Sequence, residues 1–173
     1  EIPLRLVGSE MCIRDRSLIL GSRVINWKRD THERPYGGAE SEVNRAENGV
    51  FIPYAGVVYD LDEIWSVYTS YTSIFNPQAS WVRSEDNKPL DPMEGKGYEV
   101  GIKGSHFDGR LNSSLALYKL QQDNLAIWKH DNVYSAEQDT TSKGVELEFN
   151  GDLAEGWQAS AGYTYSVTTN ADN

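Results

Sequence analysis

Apolar and polar side chains exchange places at every second position over long stretches of this chain. Val145, Leu147 and Phe149 are apolar, and Glu146, Glu148 and Asn150 between them are polar. Tyr98, Val100 and Ile102 alternate with Glu99, Gly101 and Lys103, and Leu111, Leu115 and Leu117 with Asn112, Ser114 and Ala116. Trp157, Ala159, Ala161, Tyr163 and Tyr165 alternate in the same way with Gln158, Ser160, Gly162, Thr164 and Ser166. A period of two sends successive side chains to opposite faces of an extended strand, so each stretch has one greasy and one wet side. The chain is therefore expected to be all-β.

One hairpin can be registered from sequence alone. Asp108 and Gly109 form a dipeptide that favours a two-residue type I′ turn, which pairs Phe107 with Arg110. Counting outward, Ile102 then faces Leu115 and Val100 faces Leu117, although the apolar residues are even-numbered in one strand and odd-numbered in the other. A turn of odd length would put the two greasy faces on opposite sides of the sheet.

Strands are expected at about 18–28, 50–60, 64–75, 96–107, 110–123, 139–150 and 157–167. Their connections alternate in kind. Those around Asp60–Glu63, Asp108–Gly109 and Gly151–Gly156 are short, whereas Arg29–Gly49, Asn76–Gly95 and Asn124–Gln138 are long and polar. Bacterial outer-membrane barrels have short periplasmic turns and long extracellular loops. The expected architecture is an antiparallel transmembrane β-barrel, with the second, fourth and sixth of these strands running inward.

Composition is compatible with that architecture. The 173 residues are 39% hydrophobic with a mean hydropathy of −0.57, so no window reaches a transmembrane helix. A barrel strand needs only about 9–11 residues, half of them facing lipid. The 5 Trp and 10 Tyr suit interfacial girdles and equally the core of a β-sandwich. A formal net charge of −10 argues against nucleic acid as a partner, which would call for clustered Lys and Arg. The single Cys excludes an internal disulfide framework.

Leu6–Arg16 reads LVGSEMCIRDR and resembles a translated adapter found at the ends of many unrelated, computationally translated sequences. Residues 1–16 are therefore set apart from 17–173. Their acids (Glu1, Glu10, Asp15) and bases (Arg5, Arg14, Arg16) balance, so the negative charge belongs to the remainder, and Cys12 carries no redox message. The alternative is a genuine terminal strand or amphipathic arm.

Six stretches occur in order: PYAGVVYDL (Pro53–Leu61), SVYTSYTSIFNPQ (Ser66–Gln78), LDPMEGKGYEVGIKG (Leu90–Gly104), DGRLNSSLALYKLQQDN (Asp108–Asn124), TSKGVELEFNG (Thr141–Gly151) and GWQASAGYTYS (Gly156–Ser166). Through them the chain resembles the TonB-dependent ferric-siderophore receptors of Gram-negative outer membranes, particularly the ferripyoverdine and ferric coprogen group. The loops between the stretches match poorly.

That resemblance implies a barrel of about 22 strands enclosing a plug, of which about seven strands are expected here, with plug and closing strand absent. Such a fragment would leave two strand edges unpaired. It also implies a receptor that captures a ferric siderophore outside the cell and admits it to the periplasm, energised by TonB with ExbB and ExbD. Outer-membrane lipid would surround it. No cofactor or protein metal site is implied, because the siderophore's own oxygens hold the iron.

Residue chemistry points to binding rather than catalysis. His32, His106 and His130 lie far apart and read as loop or turn residues, and Asp86–Asp91 lacks the glycine and spacing of an EF-hand loop. Asn112-Ser113-Ser114 matches a glycosylation acceptor but falls within an expected strand. Glu99, Lys103, Arg110, Glu146 and Glu148 would point into the lumen, where charged pairs could brace a plug or line a path; a plain solvated sheet face explains the same residues. Tyr36, Trp81, Trp128 and Tyr134, in or beside the long loops, are the candidate siderophore contacts, since aromatics give rigid contact area. Girdle aromatics would occupy nearly the same height. Gly101, Gly144 and Gly162 leave the polar side without bulk, which would admit a plug closely, but strand glycines more often mark bulges or bends and are read so here.

Two other readings share part of this pattern. A passive porin, or a barrel with an adhesive or enzymatic role, has the same alternation and loop asymmetry. A soluble β-sandwich binding module would place Val145, Leu147 and Phe149 against a second sheet.

Overall fold

The computed structural model describes residues 5–13, 15–33, 41–131, 133–154 and 156–170. The strands are β1 (Arg5–Ile13), β2 (Arg16–Glu33), β3 (Ser41–Asp60), β4 (Trp65–Asn76), β5 (Met93–His106), β6 (Leu111–Asp123), β7 (Leu125–His130), β8 (Val133–Glu137), β9 (Thr140–Ala154) and β10 (Trp157–Thr169). Eight of them form one sheet in the order β1-β2-β3-β4-β5-β6-β9-β10, and β7-β8 is a separate hairpin. Every neighbouring pair in the large sheet is antiparallel.

The hairpin counted from Asp108-Gly109 has the expected register: Ile102 is opposite Leu115 and Val100 opposite Leu117. Asp108 and Gly109 both have positive φ, 56° and 82°, and the Arg110 amide donates to the Phe107 carbonyl at 3.3 Å, as a type I′ turn requires. Phe107 is left-handed as well, at 54°, so regular pairing ends one step earlier, at His106 and Leu111.

Carried across the sheet, these registers give continuous rows. On the outward face one row runs Leu18, Val57, Thr69, Val100, Leu117, Val145, Tyr165. The row toward the short turns contains Tyr59, Val67, Ile102, Leu115, Leu147 and Tyr163. These side chains lie open: Val100 is 52% exposed, Leu117 53% and Tyr163 63%. No second sheet covers them among the described residues, so the β-sandwich reading is not met. An apolar face this wide is a contact surface. Trp65 and His106 stack edge to face at 5.1 Å at the short-turn end of the same face.

Short and long connections alternate as expected, but strands reach farther into the long ends. Arg29–Gly49 is largely strand, because β2 runs on to Glu33 and β3 begins at Ser41. With 18 and 20 residues these strands are roughly 60 Å long at about 3.3 Å per residue, twice the hydrocarbon thickness of a bilayer. A bulge between Ile25 and Trp27 breaks the register where Gly49 (φ 70°) donates its amide to Asn26 Oδ1 at 2.8 Å. Ile25, Ile52 and Phe75 form a small buried cluster with Trp27 and Val50 beside it. Pro53 lies inside β3. It has no amide to give to β4, and the β3–β4 ladder accordingly stops at Tyr54 and Thr72.

Other expectations change in detail. Asn124–Gln138 contains the β7-β8 hairpin. The three histidines lie in strands β2, β5 and β7 rather than in loops. Residues 5–13 pair with β2 along their length, making an eighth strand of the sheet. Backbone pairing of this kind requires only free amides and carbonyls at an open edge.

At the turn between β3 and β4, Asp62 Oδ1 accepts the amides of Trp65 and Ile64, both at 2.8 Å. Those bonds hold its carboxyl below the ordinary aspartate value of 3.8. A depressed carboxyl stabilises above its unfolded pKa and loses that contribution as pH falls through the folded value. Amide exchange at Ile64 and Trp65, measured by NMR after correction for intrinsic rates, should show loss of protection only below pH 3.8. Loss near neutrality would contradict this role for Asp62.

Candidate functional site

The inward face is built by the same registers. Glu99 is opposite Tyr118, Lys103 opposite Ser114, Glu146 opposite Ala116 and Glu148 opposite Ser114. Four of the five residues read as lumen-facing therefore share one sheet face. Arg110 does not sit on a strand: it belongs to the short turn, where its Nε donates to the Phe107 carbonyl at 3.1 Å.

Tyrosines organise this face, and sequence reading did not single them out. Tyr68 is the cross-strand partner of Gly101, Tyr118 of Gly144 and Tyr54 of Gly21. In each pair the tyrosine ring fills the space where the glycine lacks a side chain. Gly101 and Gly144 are thus neither bulged nor open, because their ladders run without a register shift and the partner's ring covers them. Gly162 has no such cover. The Tyr68 hydroxyl donates to Glu99 Oε1, and Lys103 Nζ lies 4.5 Å from the Tyr68 ring centroid. Thr164 Oγ1 donates to Glu146 Oε1 at 3.1 Å. A polar recess bordered by Ser66, Lys103, Ser114, Glu148 and Asn150 opens on this face toward the short turns.

At the opposite end the long connections are tied together. Arg45 donates to the Leu90 carbonyl at 2.6 Å and pairs with Asp91 at 3.0 Å, and Arg29 donates to the Gln78 carbonyl. The 77–92 connection is thereby fastened to the β2–β3 extension. Gln78 Nε2 donates to the Asn124 carbonyl at 2.7 Å, Asn124 Nδ2 to the Pro92 carbonyl at 3.0 Å, and the Tyr134 amide to the Arg83 carbonyl at 2.7 Å. These bonds bind the same connection to the β7-β8 hairpin.

Of the aromatic candidates, Trp128 and Tyr134 are cross-strand partners in β7-β8, and Trp81 lies in the adjoining connection. Trp81 is 70% exposed and Trp128 62%, while Tyr134 is half-buried. Tyr36 lies outside the described residues. Among the described residues no group of acids, histidines or cysteines is arranged to hold a metal ion.

Arg45→Ala in a complete receptor is expected to loosen 77–92 locally by about 1 kcal/mol, mainly through the lost bond to Leu90. Asp91→Asn should do little, because the Asp91 side chain is 73% exposed and the ion pair is screened. Hydrogen exchange over 77–92 separates the two, and equal effects would contradict the ranking.

Apolar rows outside, a polar face inside and alternating short and long strand ends define a segment of an outer-membrane β-barrel. The family model described as TonB dependent receptor-like, beta-barrel, matches residues 15–173. The chain belongs to that family, whose members are receptors and transporters of Gram-negative outer membranes rather than enzymes. It is 79% identical over 159 residues to the ferric-pyoverdine BN7/BN8 receptor of Pseudomonas putida, covering 92% of this chain and 20% of that protein. It is 41% identical over 180 residues to the ferripyoverdine receptor of Pseudomonas aeruginosa, covering 94% and 21%. The solved pyoverdine outer membrane receptor of Pseudomonas aeruginosa bound to pyoverdine superposes with a TM-score of 0.78 at 37% identity, over 95% of this chain and 24% of that one. The alcaligin outer membrane receptor of Bordetella pertussis gives 0.75 at 30% identity, over 96% and 30%. The chain spans about one-fifth of the length of the curated relatives it matches.

Proposed function

We propose that this segment belongs to a receptor that binds a ferric pyoverdine outside the cell and delivers it to the periplasm. The 79% identity to the Pseudomonas putida ferric-pyoverdine receptor, extending over 92% of the chain, supports that ligand class. No bond is made or broken. Iron is cargo, held by the siderophore's oxygens, and the barrel segment supplies walls and mouth.

In this reading Trp81, Trp128 and Tyr134, with Tyr36, offer aromatic contact to the siderophore. Glu99, Lys103, Glu146 and Glu148 face the lumen, and Arg110 stands at its periplasmic rim. Transport against a gradient requires an energy source, and the family resemblance supplies it as TonB with ExbB and ExbD acting through parts outside this segment. Residues 1–16 are taken as adapter-derived; a family match that begins at residue 15 supports that division.

The test is uptake of radiolabelled iron by a Pseudomonas strain that lacks its own ferric-pyoverdine receptors and expresses the full-length receptor containing this segment. Uptake from ferric pyoverdine that disappears on deleting TonB is the expected result. Uptake that persists without TonB, or that occurs only from another class of siderophore, would overturn the proposal.

A further inference from the structure

On the outward face, one row beyond Val100, Leu117 and Val145 toward the long connections, Lys119 stands directly opposite Lys143. Tyr98 flanks Lys119 from the other side. Lys96 follows on the same face of β5, opposite Gln121. Like charges in direct cross-strand register destabilise a ladder unless something neutralises them.

Nothing in the described protein does so. No carboxylate pairs with any of the three ammonium groups. Glu94 and Asp123 face each other one row farther out, and neither reaches a lysine within ion-pair distance. The height of the lysines also argues for a partner in the membrane. They cap the apolar rows at the level of the Tyr71–Tyr98 ring pair, whose centroids are 5.4 Å apart, where tyrosines mark the headgroup boundary. Beside Lys96, on the loop side of the lysines, the fork between β3 and β4 leaves a mixed groove lined by Phe51, Tyr71 and Phe75 and also by Glu94, Asp123 and Asp139. Ammonium groups above the open apolar row of Val100, Leu117 and Val145 match a molecule with an anionic head and hydrocarbon tails.

We propose that Lys96, Lys119 and Lys143 hold the phosphate of an anionic lipid against the outside of the barrel, with acyl chains over the rows beneath. The site rests on the barrel's position in the membrane and is independent of which siderophore is carried. The phosphate replaces the missing counter-ion between Lys119 and Lys143, so the lipid both binds and steadies the β6–β9 ladder.

The experiment uses the full-length receptor in uncharged detergent, titrated with phosphatidic acid, phosphatidylcholine or inorganic phosphate and read by native mass spectrometry. Wild-type receptor is expected to retain phosphatidic acid and release phosphatidylcholine. Replacing all three lysines by Gln should weaken phosphatidic acid binding about a hundredfold, and replacing them by Arg should preserve it. Heat-resistant electrophoretic mobility reports that each variant is folded. Should the triple Gln variant fail to fold, Lys143→Gln alone is expected to weaken binding about fivefold. Undiminished binding to a folded Gln variant overturns the proposal, as does displacement of the lipid by millimolar inorganic phosphate, which would make this a free-anion site.

Discussion

Leu147→Arg in the full-length receptor is expected to destabilise the barrel by about 2–4 kcal/mol, the cost of a cationic side chain on the lipid face near the bilayer midplane. Leu147 lies between Leu115 and Tyr163 in an outward row, with the Val100–Leu117–Val145 row on its loop side and the row of Phe149 on its turn side. Leu117 belongs to the row next to the Tyr98–Lys119 row at the headgroup boundary, so Leu117→Arg should cost less. Glu148→Gln, on the opposite face, should leave stability nearly unchanged. Denaturant unfolding of receptor reconstituted in lipid vesicles gives the ranking, and equal costs for Leu147→Arg and Glu148→Gln would mean that the faces are assigned wrongly.

Gly101→Ala is expected to cost about 1–3 kcal/mol through overpacking. A Cβ there would meet the Tyr68 ring at 2.6 Å and the Leu115 carbonyl at 2.8 Å, so the ring must move. Its displacement would also break the hydroxyl bond to Glu99 and draw the ring away from Lys103. Gly162→Ala is the control, since its Cβ would meet nothing closer than the Leu147 carbonyl at 3.9 Å. Residues in contact couple, so adding Tyr68→Ala should cost less in the Gly101→Ala background than in wild type. Equal destabilisation by Gly101→Ala and Gly162→Ala would remove the ring-over-glycine account.

Much of the membrane-spanning part was legible because lipid outside and water inside force opposite polarity on neighbouring residues. The Asp108-Gly109 turn then fixed one register, and the expected pairs Ile102–Leu115 and Val100–Leu117 followed by counting. The tyrosine–glycine pairs were harder to read. Tyr68 and Gly101 lie on strands joined by a long connection, as do Tyr118 and Gly144, and their registers cannot be counted through a loop. The upper halves of β2 and β3 were read as loop for another physical reason. Beyond the bilayer neither face need be apolar, so Arg29–Gly49 pairs as strand without the alternation that announces one. Among the candidate contacts, sequence placed Trp128 and Tyr134 in one long connection but could not show that they are cross-strand neighbours. Arg29 and Arg45 gave no signal, because their partners include backbone carbonyls.

The bonds through Arg45, Gln78 and Asn124 have a consequence for how such a receptor can change its ligand. Grafting the 77–92 segment alone from a relative would sever attachments on both sides, whereas exchanging it together with the β2–β3 tip and the β7-β8 hairpin would keep them. The mouth of this barrel is therefore a unit of inheritance, and new selectivity should arise by replacement of the whole set.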